Sequence, residues 1–211
     1  MYERVIDDLR RAYDRGAAER DGRGVAPWKL DLRAAFLARL RAEGARRLLE
    51  IGGGPGHFAA WFAAQGLDVV MTDLSPEMVR LARAKGLDAR VMDFLSLDFP
   101  PASFDAVFAL NCLLHVPSAD LPRVLAAIHR VLRPGGLFFY GVYGGYAFEG
   151  LWPDDQHEPK RHFVFYADDE LRRRAAGLFD EVSFQAIPLE REDTAHFQAL
   201  TLRAREGAAC S

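Results

Sequence analysis

Leu48-Leu49-Glu50-Ile51-Gly52-Gly53-Gly54-Pro55-Gly56-His57 decides the fold of this 211-residue chain. An apolar strand carries an acid, Glu50, at its end. Glycines then stand at alternate positions, Gly52, Gly54 and Gly56, and Phe58 to Gln65 reads as a helix. Glycine takes positive φ and lets a ligand approach the backbone closely. A strand, a glycine turn and a helix N-terminus in that order make a cradle for a nucleotide-like cofactor.

A dinucleotide fingerprint, Gly-x-Gly-x-x-Gly, counted from Gly52 would need glycine where the chain has His57. The pattern is instead Glu-x-Gly-x-Gly-x-Gly, which resembles motif I of the class I S-adenosylmethionine-dependent methyltransferases of small-molecule type. The physical fit is sensible. S-adenosylmethionine carries no pyrophosphate for a helix dipole to face, but it carries a sulfonium and an ammonium, which an acid near the loop helps to hold. The stretch from Leu67 to Asp73 reads as a second strand ending in an acid. A carboxylate there can accept both hydrogen bonds of a ribose diol. Ser75 fits an N-cap and Pro76 the first helical position, with a stop at Gly86. Asp88 to Met92 reads as a third strand, followed by Asp93-Phe94. In the family, an acid at this point accepts from the adenine amino group, between apolar neighbours on the ring faces.

The resemblance continues through Ser103 to Asn111, similar to the fourth strand and its exit, and through Arg130-Val131-Leu132-Arg133-Pro134-Gly135-Gly136, similar to the turn before strand five. It covers residues 46–145 most strongly. It implies an α/β fold, a Rossmann-like seven-stranded, mostly parallel sheet whose last strand is antiparallel, with helices on both faces and N-terminal lid helices. It implies S-adenosyl-L-methionine as cofactor, held by Glu50, Gly52, Gly54, Gly56, Asp73, Leu74, Asp93, Phe94 and Asn111. It does not imply an acceptor, because acceptors vary widely on one fold.

Composition narrows the partners. The length suits one domain, organised as N-terminal helices (1–44), cofactor core (45–145), acceptor lid (146–167) and a C-terminal helix and strand pair (168–211). Half of the residues are hydrophobic and the formal net charge is −3. No long basic run suggests a nucleic-acid groove, and no apolar run is long enough for a membrane span. The charged start Met1-Tyr2-Glu3-Arg4 is unlike a signal peptide. Two isolated cysteines, Cys112 and Cys210, provide no disulfide framework, so a cytoplasmic location is expected. Arginine supplies nearly all the positive charge, and with abundant alanine this hints at a GC-rich bacterial genome. Monomer and homodimer are equally open.

Outside the core, Val5, Ile6, Leu9 and Tyr13 recur at helical spacing, and Pro27 opens a helix bearing Leu32, Phe36 and Leu40 on one face. In relatives such helices cover the cofactor or the acceptor, which makes Tyr13, Arg20 and Trp28 lid candidates. Leu137 to Val142 reads as a buried fifth strand. Val182 to Leu189 and Phe197 to Arg203 read as two late strands, joined by a hairpin near Arg191-Glu192-Asp193.

Acceptors on this architecture bind beyond the carboxyl ends of the strands. His115, just after strand four, is the candidate general base, since an imidazole takes a proton near neutral pH. The segment from Tyr143 to Tyr166 interleaves aromatic and charged residues, and a connection of that length is commonly a functional lid. Tyr143, Trp152, His157, Arg161 and His162 are its acceptor candidates. Asp154, Asp155, His157 and His162 have metal-ligand chemistry too. Metal-dependent relatives carry acids after strands four and five, where this chain has Asn111, Gly141 and Gly144-Gly145, so no metal is expected. The reading is methyl transfer to an O or N atom of a small molecule. A nicotinamide-dependent oxidoreductase and a non-catalytic cofactor-binding subunit are the alternatives.

Overall fold

Strand and helix alternate from Arg47 to Val91, and the central strands are apolar on both faces, so the sheet they build must be covered on both sides. The computed structural model describes residues 2–189 and 195–207; Cys210 and the connection at Arg191-Glu192-Asp193 lie outside the described residues. Three helices come first: α1 (Tyr2–Arg15), α2 (Ala17–Asp21) and α3 (Pro27–Ala42). The core follows as β1 (Arg47–Ile51), α4 (His57–Ala64), β2 (Asp68–Asp73), α5 (Pro76–Ala84), β3 (Asp88–Val91), β4 (Phe104–Leu110), α6 (Leu121–Val131) and β5 (Leu132–Gly144). Then come β6 (Phe148–Leu151), β7 (His162–Phe165), α7 (Asp168–Ala175), β8 (Phe179–Pro188) and β9 (His196–Ala204).

Seven strands join in the order β3-β2-β1-β4-β5-β9-β8. The strands through β5 are parallel, and β9 runs antiparallel between β5 and β8. The order reverses between β1 and β4, so the loops leaving these two strands diverge and open a crevice at the carboxyl edge of the sheet. Phe108 and Phe139 stack at 4.7 Å on one face, beneath Phe36 of α3 and Phe62 of α4. On the other face Val124, Leu125 and Ile128 of α6 bury against Val107 and Phe138. Each large apolar side chain so buried stabilises the fold by roughly 1.5–3 kcal/mol.

Capping ties the first helix to the core. Ser75 accepts the backbone N–H of Met78 at 3.1 Å, and its hydroxyl donates to Asp14 of α1. Asp14 also accepts the Glu77 N–H at 3.2 Å, placing a carboxylate at the positive end of α5.

Two segments differ from the sequence-based expectation. A short helix, α2, forms just before the glycine-rich turn at residues 21–24, because Ala17 is fully buried and continues the chain reversal begun at Gly16. The aromatic segment after β5 is a hairpin rather than an irregular loop, with Phe148 opposite Phe165 and Leu151 opposite His162. Its rings pack on one another: Trp152 lies 5.3 Å from Phe148 and 5.5 Å from Phe165. The strands are four residues each and one contains Gly150, too short for an alternating pattern to stand out.

Candidate functional site

The glycine loop crosses the open end of the sheet. Gly52 has φ +61°, and a Cβ there would stand 2.4 Å from the Cβ of Cys112. Both the backbone conformation and the space therefore require glycine. Gly52→Ala is expected to destabilise the fold by about 2–4 kcal/mol and to block the groove; a melting curve that matched the wild type would contradict this. The loop is pinned to the end of β2. Gly53 N–H donates to the Thr72 carbonyl at 3.1 Å, and Gly54 N–H to Asp73 Oδ2 at 2.8 Å. Asp73 Oδ1 accepts the Ser75 N–H at 2.9 Å. Burial raises the Asp73 pKa, and these two N–H groups oppose the shift. Each of its oxygens keeps a second lone-pair direction for a ligand.

Glu50 is 3% exposed, and burial pushes its pKa up to about 8, against an N–H from Ala59 and the nearby Arg33 charge. Its Oε2 is buried with no partner among the described residues. Across the crevice, Asn111 takes φ +58°, a conformation uncommon outside glycine, at the exit of β4. Its N–H donates to the Gly141 carbonyl at 2.7 Å, while its Oδ1 is also buried and unpartnered. Two buried oxygens without donors, one either side of the glycine loop, mark a place shaped for a ligand that donates hydrogen bonds.

Two hollows meet over the loop. One, of about 480 Å³, is walled by Asp73, Leu74, Met78 and Phe94, with Leu9 and Tyr13 of α1 above them. The second, of about 810 Å³, holds Glu50 and is rimmed by Arg23 and Lys29. Arg20, Gly52, Gly54 and Asn111 line both, so the two form one groove. The helices before the core roof it. Gly56, with φ +85°, starts α4 beyond the loop and lines neither hollow.

Asp93 departs from expectation. It was expected beside Glu50 and Asp73 in the groove, but it lines neither hollow. Its Oδ1 accepts the N–H groups of Leu95 and Ser96 at 2.7 and 3.0 Å. A short carboxylate two residues before a turn closes that turn on itself through one oxygen.

His115 ends a 3-10 turn after β4 and is 5% exposed. Its Nδ1 lies 2.7 Å from the His162 carbonyl, which only accepts, so Nδ1 carries the proton. Nε2 therefore accepts from the Tyr13 hydroxyl at 2.6 Å. Burial pushes the His115 pKa down to about 3 against the His162 carbonyl, and the Arg161 and Arg20 charges push the same way. The imidazole is neutral, with both nitrogens engaged. An acceptor reaches Nε2 only by replacing the Tyr13 hydroxyl. Arg161 Nη1 in turn donates to the Tyr13 oxygen at 3.1 Å and is clamped by Asp155 at 2.7 and 2.9 Å. Burial works against the Asp155 charge, yet the Arg161 hydrogen bonds hold its carboxyl well below the usual range. The chain from Asp155 to His115 thus latches α1 to the hairpin and to the β4 exit. Tyr13→Phe leaves Nε2 and the guanidinium short of a partner, and a loss of about 1–3 kcal/mol is expected by thermal or denaturant unfolding; unchanged stability would show the latch to be idle.

The other acceptor candidates are scattered. Trp28 packs on Phe197 at 4.7 Å. His157 Nδ1 sits 3.2 Å from Asp155, and the His162 ring lies 3.9 Å from Glu149. None of Trp28, His157, Arg161 and His162 lines the groove. Tyr143 and Trp152 line a separate aromatic hollow of about 540 Å³. Asp155 is occupied by Arg161, and among the described residues no three of His, Cys, Asp and Glu gather as a metal site. The sequence reading missed Arg23, Lys29 and Met78 as groove residues; nothing in local pattern separates them from surface and core residues of the same types.

A family model described as a methyltransferase domain matches residues 49–140, the span from β1 through most of β5. Residues 49–140 of the chain are thus similar to a methyltransferase domain. Among curated relatives, a ubiquinone biosynthesis O-methyltransferase of Xanthomonas oryzae pv. oryzae is 34% identical over 137 residues, covering 61% of this chain and 54% of the relative. The chain thus spans about half the length of the curated relatives it matches. Among solved structures, Burkholderia thailandensis 1,6-didemethyltoxoflavin-N1-methyltransferase, with bound 1,6-didemethyltoxoflavin and S-adenosylhomocysteine, superposes with TM-score 0.74 at 25% identity over 98% of this chain and 91% of that one. A DhpI–SAH complex superposes with TM-score 0.71 at 25% identity, covering 98% of this chain and all of DhpI, 100%.

Proposed function

We propose that this chain transfers the methyl group of S-adenosyl-L-methionine to an O or N atom of a small molecule. The observation that carries the reading is the pair of carboxylates flanking the glycine loop, Asp73 with spare lone pairs at one end of the groove and Glu50 with an unpartnered Oε2 at the other. The residues fit the cofactor. Asp73 would accept from the ribose hydroxyls, with Leu74, Met78 and Phe94 against the adenine. Glu50 and the Asn111 Oδ1 would accept from the ammonium, and Arg20 would meet the carboxylate. When bound, S-adenosylmethionine supplies a methyl group already activated on sulfur. The protein's share is to align an acceptor with that methyl group and exclude water, and alignment alone can contribute roughly 7–11 kcal/mol. Where the acceptor must lose a proton, His115 Nε2 is the candidate to receive it, once the acceptor displaces the Tyr13 hydroxyl that fills it in the free chain.

Calorimetry with S-adenosylmethionine, S-adenosylhomocysteine and NADH tests the reading. Binding of the first two and not the third is expected. NADH binding alone would favour the oxidoreductase, and cofactor binding with no turnover on any acceptor would favour a non-catalytic subunit. Further parts of the proposal are a single methyltransferase domain with helices 1–44, core 45–145, cover 146–167 and C-terminal part 168–211, a bacterial source, a cytoplasmic location and no nucleic-acid partner. Among the described residues no helix is long and apolar enough to cross a membrane.

A further inference from the structure

We infer that the methyl acceptor is an organic anion with an aromatic or apolar body, its oxyanion held by Lys29. The inference rests on the methyl-transfer reading above and names the acceptor class for that site. The chain is acidic overall, with formal net charge −3, yet Arg20, Arg23 and Lys29 all face the hollow that holds Glu50. A cationic sulfonium beside three further cations is unfavourable unless anions offset them. Two of the three are accounted for. Arg23 pairs with Glu19, and Arg20, whose Nε lies 3.6 Å from where a Cβ on Gly54 would stand, is placed for the cofactor carboxylate.

Lys29 is different. It is half-buried, and among the described residues its side chain makes no ion pair and no hydrogen bond; its backbone N–H donates to the Ala26 carbonyl. Its ammonium rests on two ring faces, 5.1 Å from the centre of Trp28 and 5.3 Å from that of Tyr143. Other cations of this chain find oxygen partners. Lys85 donates to Asp21 and to the Pro55 carbonyl, Arg130 to the carbonyls of Leu97 and Phe99, and Arg203 to Glu43. Aromatic faces attract a cation but do not replace an oxygen acceptor, so a partly desolvated ammonium without one is poised for an anion.

Its position indicates the rest of the acceptor. Lys29 lines the cofactor groove, and Tyr143 beneath it lines the aromatic hollow with Tyr146, Trp152 and Phe165. That hollow is predominantly apolar and lined by aromatic rings, which suits a ring of the ligand. An oxyanion at Lys29 would place an attached ring against Tyr143 and direct the remainder of the molecule along the groove that carries the cofactor.

The test uses the full chain saturated with S-adenosylhomocysteine and matched probes: benzoate and benzamide, 2-naphthoate and 2-naphthamide, indole-3-acetate and indole-3-acetamide. Titration by calorimetry is expected to show the carboxylate of each binding pair held about tenfold more tightly than its amide, with the preference shrinking at high salt. Lys29→Met is expected to erase the preference while S-adenosylhomocysteine affinity stays within about twofold, and Lys29→Arg to retain it. Amides that bind as well as carboxylates, no binding by any probe, or a preference that survives Lys29→Met would overturn the inference while leaving methyl transfer intact. Absence of S-adenosylhomocysteine binding would instead remove the methyl-transfer reading and this inference with it.

Discussion

Asp73→Ala is expected to weaken S-adenosylmethionine binding by a hundredfold or more. Hydrogen bonds to a charged group are worth about 1.5–3 kcal/mol each, and a ribose diol offers two donors. The carboxylate has a second duty, because it also accepts the N–H groups of Gly54 and Ser75. Its removal therefore loosens the glycine loop where the ligand should lie. Asp73→Asn separates the two roles. The amide oxygen can still accept one backbone N–H, but the charge and one acceptor are lost, so an intermediate affinity is expected. Calorimetry with both variants decides the matter. Wild-type affinity in Asp73→Ala would mean that the ribose is held elsewhere and that the groove is misassigned.

Glu50→Gln is expected to strengthen the ligand-free fold and to damage cofactor binding in the same protein. The Glu50 carboxyl has an ordinary pKa of 4.5 and is raised by burial to about 8 in the folded chain. Between those values the folded state binds more protons than the unfolded state, so the contribution of this group to stability falls as pH rises through that window. A neutral glutamine escapes that loss. The free variant should be more stable by about 3 kcal/mol near pH 7, or roughly 6–12 °C in melting temperature. Binding should change the other way. An ammonium facing Oε2 favours the ionised carboxylate, so the wild type should release a proton on binding S-adenosylmethionine below pH 8, visible as a binding heat that depends on the ionisation heat of the buffer. The variant should show no such release and should bind about thirty- to a hundredfold more weakly. Equal affinity with no buffer dependence in either protein would remove Glu50 from the site.

Both predictions concern acids that local sequence already marked, and the physical reason is plain. A parallel strand buried on both faces is apolar, so a carboxylate at its end is conspicuous. Alternate glycines stand out because so few turns need positive φ in close succession. Glu50, Gly52 and Asp73 stand out in the sequence for that reason, and the structure brings all three to the groove. Asp93 looked like a third member by its position after a strand, yet it satisfies its own turn. Local hydrogen bonding within three residues is invisible to a pattern that records only residue type and order.

The acceptor side was far less legible. His115 was visible as a histidine after β4, but nothing in its neighbourhood indicated that Tyr13, 102 positions earlier, would occupy Nε2. The aromatic segment was visible as a cluster, but its folding into a hairpin whose rings pack together depends on pairings such as Phe148 with Phe165. Lys29 was one lysine among three in the sequence, and only its place between Trp28 and Tyr143 sets it apart.

The succession of strands and helices in the core and the glycine loop follow from the chain alone, because backbone geometry, side-chain period and glycine placement act over a few residues. The roof of the groove, the engagement of His115 and the isolation of the Lys29 ammonium were decided only in three dimensions. Each depends on groups brought together from distant parts of the chain, where burial and the lack or presence of an oxygen partner determine whether a polar group is structural or free to bind.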